Sequence, residues 1–151
     1  MRIIVALTLL STLAAAAPAS AESFTGVFKN DPAIALVMPA VGPNGPIQAG
    51  HLKGTATTQT RSGATATSTY ECIFWSTPGA ETPSAGICQV VENGKDRLSQ
   101  QLVCGAPDPK DQVAPCWGAM VGTGGKYVGK VGNFSQMGTL VAGTLQGAWK
   151  D

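Results

Sequence analysis

Two hydrophobic patterns divide the chain. From Ile3 to Ala17 the residues are almost continuously apolar, built from Ile, Val, Leu and Ala with a few Thr and Ser. After Glu22 no such run returns. Short apolar stretches instead alternate with Thr, Ser and Gln, and Gly and Pro separate them. A period of two marks strands with one buried face. The pattern predicts strands over Ser23–Lys29, Leu52–Thr60, Ala64–Trp75, Ile87–Glu92, Arg97–Cys104, Cys116–Val121, Lys126–Val131 and Thr139–Trp149. Ala33–Met38 reads as a buried strand or a helical turn. In Ala64–Trp75 one face carries Ser68, Tyr70, Cys72 and Phe74, and the other carries Thr67, Thr69, Glu71, Ile73 and Trp75. Pro39–Pro46, Thr77–Gly86 and Gly105–Pro115 are turn-rich connections. Asn93-Gly94 is the strongest hairpin signal. No amphipathic helix is evident in this region. These features predict an all-β fold, a small antiparallel β-barrel of about eight strands. A barrel is preferred to a sandwich because the connections read as successive hairpins and closure removes exposed edges.

The apolar N-terminal run has a different meaning. Arg2 precedes it, Pro18 ends it, and Ala19-Ser20-Ala21 places small residues before Glu22. This is the pattern of a secretory signal peptide over residues 1–21, cleaved after Ala21. The run is short for a transmembrane helix. Residues 22–151 then form a single domain, secreted or periplasmic. No Cys stands at the cleavage point to take a lipid.

Losing Arg2 with the leader leaves nine basic and nine acidic residues. A neutral chain has no basic face for nucleic acid and no electrostatic hold on anionic lipid. No later apolar stretch is long enough to insert into a membrane as a helix. A transmembrane barrel needs strands of about 9–11 residues with an outward apolar band, and most of the strands read here are shorter. All four cysteines, Cys72, Cys88, Cys104 and Cys116, follow the leader. An even count in an exported chain reads as two disulfides. Cys72–Cys88 with Cys104–Cys116 is favoured, because each pair is symmetric about a turn. The competing pairing joins Cys88 to Cys104 across Asn93-Gly94 and leaves Cys72 to Cys116. The spacing has no C-x-x-C, and the single His, His51, is remote, so no metal and no cofactor are expected.

Few residues suggest chemistry. There is no G-x-S-x-G, and no cysteine is expected to be a free nucleophile. His51 reads as an exposed or structural histidine. Glu71 is a weak catalytic candidate: facing a barrel interior it becomes a desolvated acid or base, and facing outward it is an ordinary strand residue. Glu92 and Asp96 flank the Asn-Gly turn and read as solvated. Tyr70, Trp75, Trp117 and Tyr127 are the candidate ligand-binding residues; Trp75, Trp117 and Trp149 read either as pocket lining for an apolar or sugar ligand or as core and end-capping residues. Gly122, Gly124 and Gly125 read as turn glycines. Gly129 and Gly132 suggest a bulge or a close backbone approach. The same segment lacks the order of a phosphate loop and no helix follows it.

From Tyr70 onward the motifs run Tyr70-Glu71-Cys72, Gly86-Ile87-Cys88, Asn93-Gly-Lys-Asp-Arg97, Cys104 and Cys116-Trp117-Gly118. Gly122-Thr-Gly-Gly-Lys-Tyr-Val-Gly-Lys-Val-Gly132 and Gly143-x-x-x-Gly147-x-Trp149 follow. This half of the chain resembles small secreted bacterial β-proteins whose GGTGKYxGxxG segment is similar to that of allene oxide cyclase and dirigent-like barrels. The resemblance implies an eight-stranded antiparallel barrel with a pocket at one end. The chain departs from it by reading Gly-Thr-Gly-Gly, and no cyclase active-site residue maps onto it. The expected function is therefore non-catalytic, a binding or structural barrel that carries an apolar small molecule if its pocket is open. The alternative is a cofactor-free isomerase or cyclase. The sequence carries no signal for oligomeric state.

Overall fold

The alternation in Ala64–Trp75 becomes one wall of a closed cylinder in the computed structural model, which describes residues 21–38, 47–76 and 85–150. The leader before Ala21, the Pro39–Pro46 connection and residues 77–84 lie outside the described residues. The strands are β1 (Ser23–Asn30), β2 (Ile34–Met38), β3 (Ile47–Thr60), β4 (Thr65–Trp75), β5 (Ala85–Glu92), β6 (Asp96–Cys104), β7 (Ala114–Gly124), β8 (Val131–Gly138) and β9 (Ala142–Lys150). A 3-10 turn, Gly125–Tyr127, is the only helical element among the described residues. The sheet runs β1-β9-β8-β7-β6-β5-β4-β3, and β1 pairs with β3 to close an eight-stranded barrel. Every pairing is antiparallel.

β2 is the extra strand, and its origin is local. Asn30 pairs with Gly54 and Ile34 with His51, so β1 and β2 lie in line along one edge of β3. Asp31, Pro32 and Ala33 intervene, opposite only Leu52 and Lys53. Pro32 has no N–H to give the ladder, which suits a break of this kind. β9 pairs β1 only as far as Lys29, so β2 extends β3 past the barrel rim.

Both disulfides follow the favoured pairing. Cys72–Cys88 joins β4 to β5 and Cys104–Cys116 joins β6 to β7. In each case the two cysteines are direct cross-strand partners.

One stretch differs from the expected elements. The chain does not turn at Gly122–Gly124. β7 stays extended through Gly124 (φ −168°), and the turn comes later, at Gly125 (φ 62°) and Gly129 (φ 79°). The strand expected over Lys126–Val131 is therefore the 3-10 turn and its exit, and β8 begins at Val131. The reason is steric: a Cβ on Gly122 would collide with the Tyr127 backbone, which folds back over β7. Gly132 is a close approach, where a Cβ would stand 2.8 Å from Met120 Cε. At the Asn93-Gly94 hairpin both residues take positive φ, 49° and 73°, as a tight turn requires. Strands are also longer than the pattern suggests, with β3 at 14 residues and β4 and β7 at 11.

The inner face follows a rule of size. Phe24 is opposite Gly147, Phe28 opposite Gly143, Tyr70 opposite Gly54, Phe74 opposite Gly50, Phe134 opposite Gly118, and Trp149 opposite Gly132. At several of these the ring lies directly over the glycine. A Cβ on Gly147 would stand 2.5 Å from Phe24 Cζ, and one on Gly50 would stand 2.6 Å from Phe74 Cε2. Phe28 over Gly143 and Tyr70 over Gly54 do the same, so these four rings lie along the wall. Gly50→Ala is expected to destabilise the barrel by about 1–3 kcal/mol, the usual cost of overpacking. In a Phe74→Ala background the same change should cost distinctly less. Denaturant unfolding of the four proteins measures that coupling, and equal costs would mean the ring is not the obstacle.

Candidate functional site

Because the rings lie flat, the barrel encloses a cavity of about 620 Å³. Its lining runs from Ser68, Glu92 and Lys126 at one end to Pro107, Leu140 and Val141 at the other. The middle is apolar, with Phe28, Val90, Leu98, Met120 and Phe134 all buried and lining it. The inward face of β4 is the one with Ser68, Tyr70, Cys72 and Phe74. Both disulfides line the same space.

The end built by the β5–β6 hairpin is polar. Glu92 and Asp96 are cross-strand partners, and each is only 5% exposed. The expectation that they are solvated is overturned, because the 3-10 turn after β7 folds over the hairpin. The Lys126 backbone N–H donates to Asp96 Oδ1 at 3.0 Å, and the Tyr127 hydroxyl donates to Glu92 Oε2 at 2.9 Å. Lys126 Nζ lies 2.6 Å from Glu92 Oε1. That contact is an ion pair, and the oxygen that makes it is buried. Tyr127 stacks on Trp149, with ring centroids 4.4 Å apart. Burial, reinforced by the Glu92 carboxylate, pushes the Tyr127 hydroxyl up to about 12. Burial acts against the Lys126 ammonium, but contact with Glu92 and its charge outweigh that and hold the group above the ordinary lysine range.

Tyr70 occupies the other half of the lumen. Its hydroxyl donates to Asn30 Oδ1 and lies 3.2 Å from the Lys29 carbonyl. Burial first, and then the charge of Asp31, push it up to about 12.

The remaining sequence candidates are elsewhere. Glu71 faces outward and is 54% exposed, with His51 Nε2 at 2.5 Å and Lys53 Nζ at 3.2 Å. Those hydrogen bonds, Lys53's the larger in effect, hold its carboxyl below the usual range. This is the outward alternative for Glu71, and it leaves the residue outside the lumen. Trp75 and Trp117 also stand on the outer surface, 42% and 51% exposed, and do not line the cavity. Tyr70 and Tyr127 do line it, and Trp149 joins them. Parity explains the split: Trp75 is in phase with Glu71 and Ile73, and Trp117 is paired with outward Val103. Glu92 carried a usable signal, since it is in phase with Cys88 and Val90 on β5.

Tyr70 and Tyr127 are the chain's two tyrosines. A phenolate absorbance titration of the native protein should therefore rise near pH 12, with no step at the ordinary value of about 10. Both folded values lie above the unfolded one. Their contribution to stability is thus intact below pH ~10 and is lost as pH climbs through about 12. A full step at pH ~10 in the folded protein would refute the burial of both hydroxyls. No protein-family model matches the chain, and no curated protein or solved structure matches it, so the functional reading rests on this lumen.

Proposed function

We propose that this chain is an exported, non-catalytic binding barrel that carries an apolar small molecule in its lumen. One observation carries the reading: the interior is a cavity of about 620 Å³. An eight-stranded barrel is wide enough either to be filled by side chains or to hold one small ligand. A volume of this size falls within the usual span of about 300–1,000 Å³ for ligand sites. The apolar middle supplies affinity, and the few polar groups at the ends supply orientation. The two disulfides fit an oxidising compartment, in keeping with the leader pattern and a secreted or periplasmic site. The resemblance of the Gly122–Gly132 segment to allene oxide cyclase and dirigent-like barrels suits the same architecture.

A second reading is a cofactor-free isomerase or cyclase. It is favoured by one feature: two tyrosine hydroxyls and a buried carboxylate share the lumen. Carriage is preferred because both hydroxyls are already bonded to protein groups, with values near 12 that make them weak acids.

Native mass spectrometry of the protein purified from its own medium or periplasm should show a stoichiometric small-molecule adduct. Ala56 is buried and lines the cavity. Ala56→Phe places a ring in the lumen and should abolish the adduct while the far-ultraviolet spectrum stays that of a β-protein. A bare wild-type mass, together with no uptake of added apolar probes, would overturn the proposal. Glu71→Gln should leave adduct occupancy, and any turnover, unchanged, because the carboxylate is on the outside of the wall. A loss of either would return Glu71 to the site.

A further inference from the structure

We propose that two copies of this chain associate about a two-fold axis through the outer face of β2, β3, β4 and β5. Register places two rows of side chains on that face. Leu36, Ala49, Trp75 and Ala85 are successive cross-strand partners, and so are Ile34, His51, Ile73 and Ile87. Trp75 and Ile73 are in phase with outward Glu71, so both rows point away from the lumen. His51, the one polar residue in them, is turned to Glu71. Ile34, Leu36, Ile73, Trp75 and Ile87 are between 40% and 66% exposed. Soluble monomers rarely show contiguous apolar surface beyond a few hundred Å². These five residues alone present on the order of 500 Å², so two copies bring together about 1,000 Å², the size at which a specific interface begins. Val103 and Trp117, also exposed, continue the first row around the barrel.

Shape and charge both suit a second copy. Closure of β1 on β3 leaves β2 as the terminal strand, carried past the rim on β3. β2 reads Ile-Ala-Leu-Val-Met, without the charge, proline or bulge that guards many such strands. It widens the outer face beyond the cylinder, and sheet faces of this kind pack about 10 Å apart. Lys53 and Glu71, a cross-strand pair, form the next outward row and border the apolar area. A two-fold contact is self-complementary, and a border of both signs can set Lys53 of one copy against Glu71 of the other. Dipping the face into a bilayer would instead carry these charges toward hydrocarbon, where they are costly. A protein interface keeps such groups on a wetted rim. The association does not depend on what the lumen holds.

The test is sedimentation equilibrium of the mature protein with its disulfides intact. Wild type should be a dimer at about 100 μM, as a micromolar Kd requires. Trp75→Glu and Leu36→Glu each place a carboxylate in the contact and should weaken association about 100-fold or more, while the far-ultraviolet spectrum stays that of a β-protein. Thr57→Glu, exposed on β3 beyond the charged border, should leave association unchanged. Ile73→Thr is a milder change that serves if a glutamate variant does not fold. It should weaken association about tenfold, since the two-fold axis counts the lost apolar contact twice. A monomer at the working concentration, an odd-numbered assembly, or a dimer that survives Trp75→Glu and Leu36→Glu together would overturn the proposal. So would a monomer that cosediments with neutral phosphatidylcholine vesicles, because lipid would then be the occupant of the face.

Discussion

The packing of aromatic rings onto glycines across neighbouring strands is the constraint from which the rest of this molecule follows. Phe24, Phe28, Tyr70, Phe74, Phe134 and Trp149 all point inward, and each faces a glycine on an adjacent strand. Glycine is a poor strand residue, having no side chain to pack. For the first four of these rings that deficit is what makes room to lie along the wall. Burial of the ring face stabilises the wall, and the centre of the barrel is left open. Larger residues at the same glycines would force the rings inward, and an eight-stranded barrel has little spare width. The lumen is therefore a consequence of how the wall packs.

Closure and cross-linking divide the remaining work by loop length. Where consecutive strands are joined by tight turns, as at Asn93-Gly94, no disulfide is present. The two hairpins that carry disulfides, β4–β5 and β6–β7, both have long connections. Long connections leave more entropy to lose on pairing. Each covalent link removes part of that freedom from the unfolded chain, worth about 3 kcal/mol in the loop-entropy model. The sulfurs also form part of the lumen wall, so the staples and the cavity share the same inner face.

The polar end shows how burial changes the meaning of common residues. Glu92 and Asp96 close an ordinary hairpin. Once the Gly125–Tyr127 turn covers them, they become two carboxylates without bulk water, held by one lysine and one tyrosine. The same turn brings Tyr127 against Trp149, so one element both caps the barrel and sets the electrostatics of its interior. By contrast, Glu71 with His51 and Lys53 forms a solvated outer cluster of the kind that contributes little to stability.

Much of the architecture was written in the chain. Period-two alternation, the Asn93-Gly94 turn and the symmetric placement of four cysteines led to an antiparallel barrel with both disulfide pairings in place, because these signals are local. The alternation in β4 also sorted Tyr70, Cys72 and Phe74 from Glu71 and Trp75, but parity alone does not say which set faces in. That choice belongs to closure, which buries one face of every strand together, and it left Trp75 and Trp117 outside. The turn after β7 was misplaced because a run of glycines permits many conformations, and contact between Tyr127 and β7 selects one. The burial of Glu92 depended on a segment some 35 residues away. The sequence by itself determined the strands, their staples and their two faces, since these follow from neighbours in the chain. Only the tertiary structure decided which face encloses the cavity and which charges lie within it, since burial is set by contacts between residues far apart in sequence.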